Sequence, residues 1–145
     1  MTSQVTDSLA FLLSKLGQVA AESFADRLAP LGLRPRHCAV LQLLDGAPLG
    51  QLALAKTIGV TPSVVVDMLD ELENVGAVRR VRDTVDRRRQ VVEITDEGRE
   101  LSRSAAEAAA QVDAELLGML TPGQGSALRK ALTTVAAAHH LLPPG

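Results

Sequence analysis

Between Gln51 and Asn74 the chain reads QLALAKTIGVTPSVVVDMLDELEN, two helical patterns divided by a glycine. Leu54, Ile58, Val60, Val65 and Met68 are apolar at the positions that two helices crossing through a tight turn must bury, and Ala55 is small where the second helix crosses the first. Gly59 stands where the chain has to reverse with positive φ, which glycine adopts without steric cost. Thr61 is placed to cap the second helix, and Pro62 suits its first turn, where a missing N–H costs nothing. Gly76 is the expected terminator. Val78 then leads into RRVRDTVDRRRQVVEIT, from Arg79 to Thr95, a basic stretch set between two short β-branched runs. Helix, turn, helix and a two-stranded basic hairpin is the order of elements in a winged helix-turn-helix.

Six arginines and two aspartates between Arg79 and Arg89 give that stretch a net charge of +4, and taking it from the chain's −2 leaves −6 for everything else. A chain that is acidic except at one hairpin is suited to meeting a polyanion at one place. The competing reading of a charge run is a solvated loop, and the helices preceding this one weigh against it. Phe11 and Phe24 are the only aromatic residues, so the flat platforms on which single-stranded nucleic acid stacks are missing and a duplex is the better target. At 145 residues the chain fits one domain, large enough to bury roughly 68 to 70% of its unfolded surface. No basic segment precedes an apolar run at the N-terminus and no stretch approaches ~20 apolar residues, so a cytoplasmic location without membrane insertion is expected.

The flanking segments read as helices. Leu9, Leu12, Leu13, Leu16, Ala20, Phe24 and Leu28 recur at spacings of three and four, which predicts one apolar stripe on a helix from about Ser8 to Leu28, ended by Pro30 and Gly32. A second helix is expected from Arg36 to Leu44 with Ala39, Val40, Leu43 and Leu44 buried, and a turn from Asp45 to Pro48. Thr95 is the expected cap of a long helix whose first turn carries Asp96 and Glu97 against the N-terminal partial positive charge. Its apolar line is Leu101, Ala105, Ala108, Val112, Leu116, Met119. Thr121, Pro122 and Gln124 restart the chain as a capping box, with Leu128, Leu132, Val135, Ala138 and Leu142 along the next helix. The wide apolar faces at both ends have no evident further layer to cover them, which points to pairing with a second copy.

The segment from Gly59 to Leu101 resembles the MarR family of bacterial transcriptional regulators. The likeness is carried by Leu72 and Glu73, Gly76, the pair Arg79 and Arg80, Asp86, Arg87 and Arg88 at the hairpin tip, and ITDEGRELS from Ile94 to Ser102. It implies a mainly α fold with a small β-hairpin wing, a single MarR-like domain over 1–145. Within it, 1–30 and 122–145 are dimerisation helices, 35–95 a winged helix-turn-helix and 96–120 a long linking helix. It further implies a homodimer on a pseudo-palindromic operator in double-stranded DNA, acting as a ligand-responsive repressor. The family's DxR element falls on Asp86 and Arg88, so Asp86 is expected to orient the wing through salt bridges and Arg88 to enter a minor groove, where the negative potential draws in a guanidinium. Arg87 and Arg89 are expected on phosphates. The candidate DNA-binding residues are Thr61, Pro62, Ser63, Val64, Val66, Asp67, Arg80, Arg82, Asp86, Arg87, Arg88 and Arg89.

The second helix of the motif departs from the family. With Val65, Met68, Leu69 and Leu72 toward the core, Ser63, Asp67, Asp70 and Asn74 face outward with Val64 and Val66 beside them. Many relatives have Thr and then Arg where this chain has Val66 and Asp67. Asp67, Asp70, Glu71 and Glu73 give the helix −4 where phosphates would lie close. An aspartate accepts from cytosine N4 and a valine touches a thymine methyl, so base readout stays open, with Thr61, Ser63 and the wing arginines supplying most of the attraction. The rival reading is a protein-interaction or small-molecule-sensing dimer whose specific DNA binding is weak or lost.

In the family an effector enters near the dimer interface, which puts Phe24, Arg36, His37 and Cys38 near it, and Arg36 would suit an anionic compound. Cys38 is the single cysteine, expected as a packed small residue; the alternative is a thiol activated by Arg36 or His37. The family's oxidant sensors carry their reactive cysteine near the start of the first helix, where this chain has none. His37 is expected to be a partly exposed helix residue, and the adjacent His139 and His140 point about 100° apart on a helix, a poor pair for one metal ion. No metal and no cofactor are expected. GxSxG, HExxH, Walker and dinucleotide motifs are all missing, which leaves no support for an enzyme.

Overall fold

The computed structural model describes residues 4–141. It contains α1 (Leu9–Leu28), α2 (Pro35–Gly46), α3 (Gln51–Ile58), α4 (Pro62–Asn74), β1 (Val78–Arg82), β2 (Gln90–Ile94), α5 (Asp96–Leu117) and α6 (Pro122–Ala138). The fold is mainly helical with one antiparallel hairpin, a winged helix-turn-helix followed and preceded by long helices. The chain divides into two compact units, Met1–Ala110 and Gln111–Gly145.

In the first unit the core is built where the motif's apolar positions converge. Leu54, Val65, Leu69 and Leu72 are completely inaccessible, together with Leu28, Val40 and Leu41, and Ile58 and Val60 are half-buried against them. Gly59 has φ +81° and its N–H reaches Ala55 O at 2.9 Å, closing α3 as the turn requires. Thr61 Oγ1 accepts from Val64 N–H at 3.4 Å, with Pro62 in the first turn. Gly76, φ +75°, lets the chain leave α4 for β1. The hairpin pairs Val78 with Ile94, Arg80 with Val92 and Arg82 with Gln90. Leu49 adds a short third pairing, donating to Val92 O at 3.0 Å and accepting from Val92 N–H at 2.8 Å, so the wing's base is anchored to the segment before α3.

Three expectations about α2 are corrected. The helix starts at Pro35 and runs to Gly46, so Asp45 is helical and not in a turn. Its buried side is His37, Val40, Leu41 and Leu44, the last three spaced three, four and seven from His37. That phase leaves Ala39 exposed and Leu43 half-buried where both were expected in the core, buries Leu41 instead, and takes His37 down to 1% exposure, where a partly exposed residue was expected.

Thr95 Oγ1 accepts from Gly98 N–H at 2.9 Å and donates to Gly76 O at 2.5 Å, so one hydroxyl caps α5 and ties its start to the turn after α4. Ala105 and Ala108 of α5 join the core, and Val112 is buried. Met119 does not continue that line: α5 ends at Leu117 and Met119 is largely exposed, because the chain turns there and Leu120 N–H closes on Leu117 O. In the second unit Thr121 and Gln124 form the expected reciprocal cap of α6, and Arg129 pairs with Asp113 at 2.8 Å. Leu128, Leu132 and Val135 are exposed along α6, as are Leu9, Leu12, Leu13 and Leu16 along α1. Leu142 lies outside the described residues. No single helix among the described residues is long and apolar enough to cross a membrane.

Candidate nucleic-acid interface

Helix α4 is fixed by its inner face and free on its outer one. Val65, Met68, Leu69 and Leu72 are buried, which turns Ser63, Val66, Asp67 and Asp70 to solvent. Val64 is half-buried against the core. Ser63 Oγ lies 3.1 Å from Thr61 Oγ1, so two hydroxyls stand together at the helix N-terminus, where unpaired backbone N–H groups favour an anion.

The four carboxylates of α4 are not equivalent. Glu71 Oε2 lies 2.8 Å from His37 Nε2, and its other oxygen pairs with Arg36. Arg80, on β1, spreads its guanidinium across two of the others: Nη2 donates to Asp70 Oδ1 at 2.9 Å and Nη1 to Glu73 Oε2 at 2.7 Å. Its side chain is only 20% exposed. Arg80, expected at the DNA, shares its one charge between two acids of α4 and so holds the helix to the wing. Among the described residues only Asp67 of these four has neither an ion pair nor a side-chain hydrogen bond, and two arginines against four carboxylates reduce the −4 read from the sequence to −2 at close range.

The wing tip runs from Asp83 to Arg89 and is ordered by its own aspartates. Asp83 N–H donates to Arg89 O at 2.9 Å, and Asp83 Oδ1 accepts from Val85 N–H at 3.1 Å. Asp86 Oδ1 accepts both the Arg88 N–H at 3.1 Å and Arg88 Nε at 3.3 Å. The Arg88 side chain is nevertheless 92% exposed: Asp86 aims it without covering it. Arg82 donates to Arg87 O at 3.0 Å, bracing the tip from β1, while Arg87 and Arg89 stay exposed. Arg79 pairs with its cross-strand partner Glu93.

The residues expected around an effector are only partly brought together. Arg36 and His37 meet at Glu71. Phe24 and Cys38 are half-buried against the hydrophobic core. Burial pushes the Cys38 thiol above its ordinary range, which lowers its thiolate fraction and argues against the activated alternative. Glu71, the residue that joins this cluster to α4, was not singled out in the sequence. It lies 34 and 35 residues from its partners, and no local spacing carries such a pairing.

Residues 36–89 match the model of the MarR family. The HTH-type transcriptional repressor Rv2887 of Mycobacterium tuberculosis (strain ATCC 25618 / H37Rv) is 31% identical over 125 residues, covering 86% of this chain and 90% of the relative. Among solved structures, the transcriptional repressor CouR bound to a 23-mer DNA duplex is similar with a TM-score of 0.75 and 30% identity, covering 93% of this chain and 99% of that one. CouR from Rhodococcus jostii RHA1 bound to p-coumaroyl-CoA gives a TM-score of 0.72 and 31% identity over 93% of this chain and 96% of that one.

Proposed function

Because the chain belongs to the MarR family of transcriptional regulators and not to a family of enzymes, we propose that it binds a pseudo-palindromic operator in double-stranded DNA as a homodimer, acting as a repressor whose affinity is set by a small ligand. The observation that carries this reading is the wing tip, where Asp86 holds the backbone and Nε of an otherwise exposed Arg88 beside a recognition helix locked by its buried face. A preorganised guanidinium enters a groove without first losing side-chain freedom.

In this reading residues 35–95 meet DNA, 96–120 link, and 1–30 with 122–145 pair two copies. Thr61, Pro62, Ser63, Val64, Val66 and Asp67 face the major groove from α4 and its cap; Arg80, Arg82, Arg87 and Arg89 serve the wing, the last two on phosphates. The two arginines that pair with acids of α4 halve the helix charge on which the rival interaction-module reading rests. That CouR is known both with a DNA duplex and with p-coumaroyl-CoA supports an effector for this chain as well, with Phe24, Arg36, His37 and Cys38 as the candidates to line its site. A cytoplasmic location accompanies a DNA-binding role.

Gel-shift titration on a duplex operator tests this. Arg88→Ala is expected to weaken binding by on the order of 1 kcal/mol or more, and Asp86→Ala to weaken it indirectly by freeing the tip. Arg87→Ala should lower the log–log salt slope by about one if it neutralises one phosphate. Parental binding by both Arg88→Ala and Asp86→Ala would remove the wing from the interface.

A further inference from the structure

We propose that Asp67 is a specificity-determining residue that selects a C·G pair in each half-site, reading the cytosine amino group; the proposal rests on the DNA-binding reading above. Asp67 is the sixth residue of α4, in the part of a recognition helix whose side chains reach base edges in the major groove. It is exposed, and the other acids of the helix are already engaged. Asp70 Oδ1 accepts from Arg80 at 2.9 Å, so a base could use that oxygen only by displacing a guanidinium. Glu73 holds the other arm of Arg80, and Glu71 is turned to Arg36 and His37. The structure therefore distinguishes Asp67 from Asp70, which the sequence left equal.

A carboxylate only accepts hydrogen bonds. Brought into a groove lined by phosphates, it is disfavoured unless a donor meets it. Guanine offers N7 and O6 and thymine offers O4, all acceptors that repel it. Adenine offers its N6 amino group beside the acceptor N7, whereas cytosine offers the N4 amino group as its sole polar group in the major groove. One unpaired aspartate thus excludes guanine and thymine, tolerates adenine poorly and is satisfied by cytosine.

Selection of duplexes from a random library by the full chain tests the idea whatever the operator sequence. The parent is expected to recover a twofold motif with cytosine at one fixed position in each half. Asp67→Asn should recover the same motif with adenine at that position alone, because an asparagine pairs with adenine N6 and N7. It should bind the adenine-substituted duplex more tightly than the cytosine one by roughly 5- to 150-fold, reversing the parent's order. Asp70→Asn, as a control, should retain the cytosine. The proposal is overturned if Asp67→Asn recovers the parental motif unchanged, or if Asp70→Asn is the variant that changes that base. A parent that recovers no motif at all overturns the DNA-binding reading itself, and this proposal with it.

Discussion

His37 shows how much one side chain fixes in this protein. At 1% exposure it accepts the Arg34 N–H on Nδ1 at 2.9 Å, capping α2, and meets Glu71 of α4 through Nε2 at 2.8 Å. A nitrogen that accepts must carry a lone pair, so the single proton sits on Nε2 and is donated to Glu71. A second proton has no place without breaking the cap. Burial lowers the His37 pKa from 6.5, opposed by Glu71 and helped by Arg36 and Arg34, and the net shift is downward. Burial pushes Glu71 upward, but the hydrogen bond and charge of His37 together with Arg36 outweigh it, so Glu71 ends below its ordinary 4.5. Both groups have folded values below their unfolded ones. Each contribution is therefore complete above the unfolded value and is lost as pH falls through the folded one, beginning below 6.5 for His37 and below 4.5 for Glu71. His37→Phe is expected to cost about 1 to 3 kcal/mol at neutral pH, leaving the Arg34 N–H and a Glu71 oxygen unmatched, and to flatten the pH dependence that begins below 6.5. Urea unfolding at about pH 7.5 and 5.5, at one protein concentration, checks this. A parent–variant difference that is the same at both pH values would mean that another group titrates.

At the scale of elements, the start of α5 is a close approach and not a turn. A Cβ on Gly98 would lie 2.0 Å from Ala77 O and 2.7 Å from Ile94 Cγ1, and a main-chain oxygen cannot move aside as a flexible side chain can. Gly98→Ala is expected to cost about 1 to 3 kcal/mol or more, read as a lowered thermal midpoint; an unchanged midpoint would show that α5 can shift off the hairpin freely. The residues TDEG were legible in the sequence as part of a family likeness, yet the reason for the glycine was not, because the atoms it must clear precede β1 and end β2. Local features were legible throughout: the αL glycines 59 and 76, the caps at Thr61, Thr95 and Thr121, and the buried stripe of α4. The phase of α2 was not: Ala39 and Leu41 exchange roles because the helix is turned to put His37 against Glu71 of α4, a contact 34 residues away in the chain. Nor were the ion pairs of Glu71 and Arg80, for a charge pattern along the chain does not say which charges meet in space. The site was legible as a list of outward residues, and its electrostatics only after folding paired Asp70 and Glu73 with Arg80.

For the whole molecule the open question is what covers the leucines of α1. Leu9, Leu12, Leu13 and Leu16 are between 44% and 76% exposed in the single chain, at the spacings of one helical stripe, and a stripe of that kind left in water favours association. Because those positions are exposed before association, glutamates there add no burial penalty to folding of the single chain and keep good helix propensity. In a twofold pair the same stripe would place carboxylates opposite leucines or one another. Leu13→Glu combined with Leu16→Glu is therefore expected to give a folded, helical protein that sediments as a monomer at micromolar concentration, while the parent sediments as a dimer. DNA binding should fall with it, since two recognition helices held about one duplex turn apart engage both half-sites only while the copies are joined. The pair of measurements separates the possibilities. A parent that sediments as a monomer would end the dimer reading. A doubly substituted chain that stays dimeric would place the interface away from this stripe. A monomeric variant with undiminished operator affinity would mean that one copy suffices to bind.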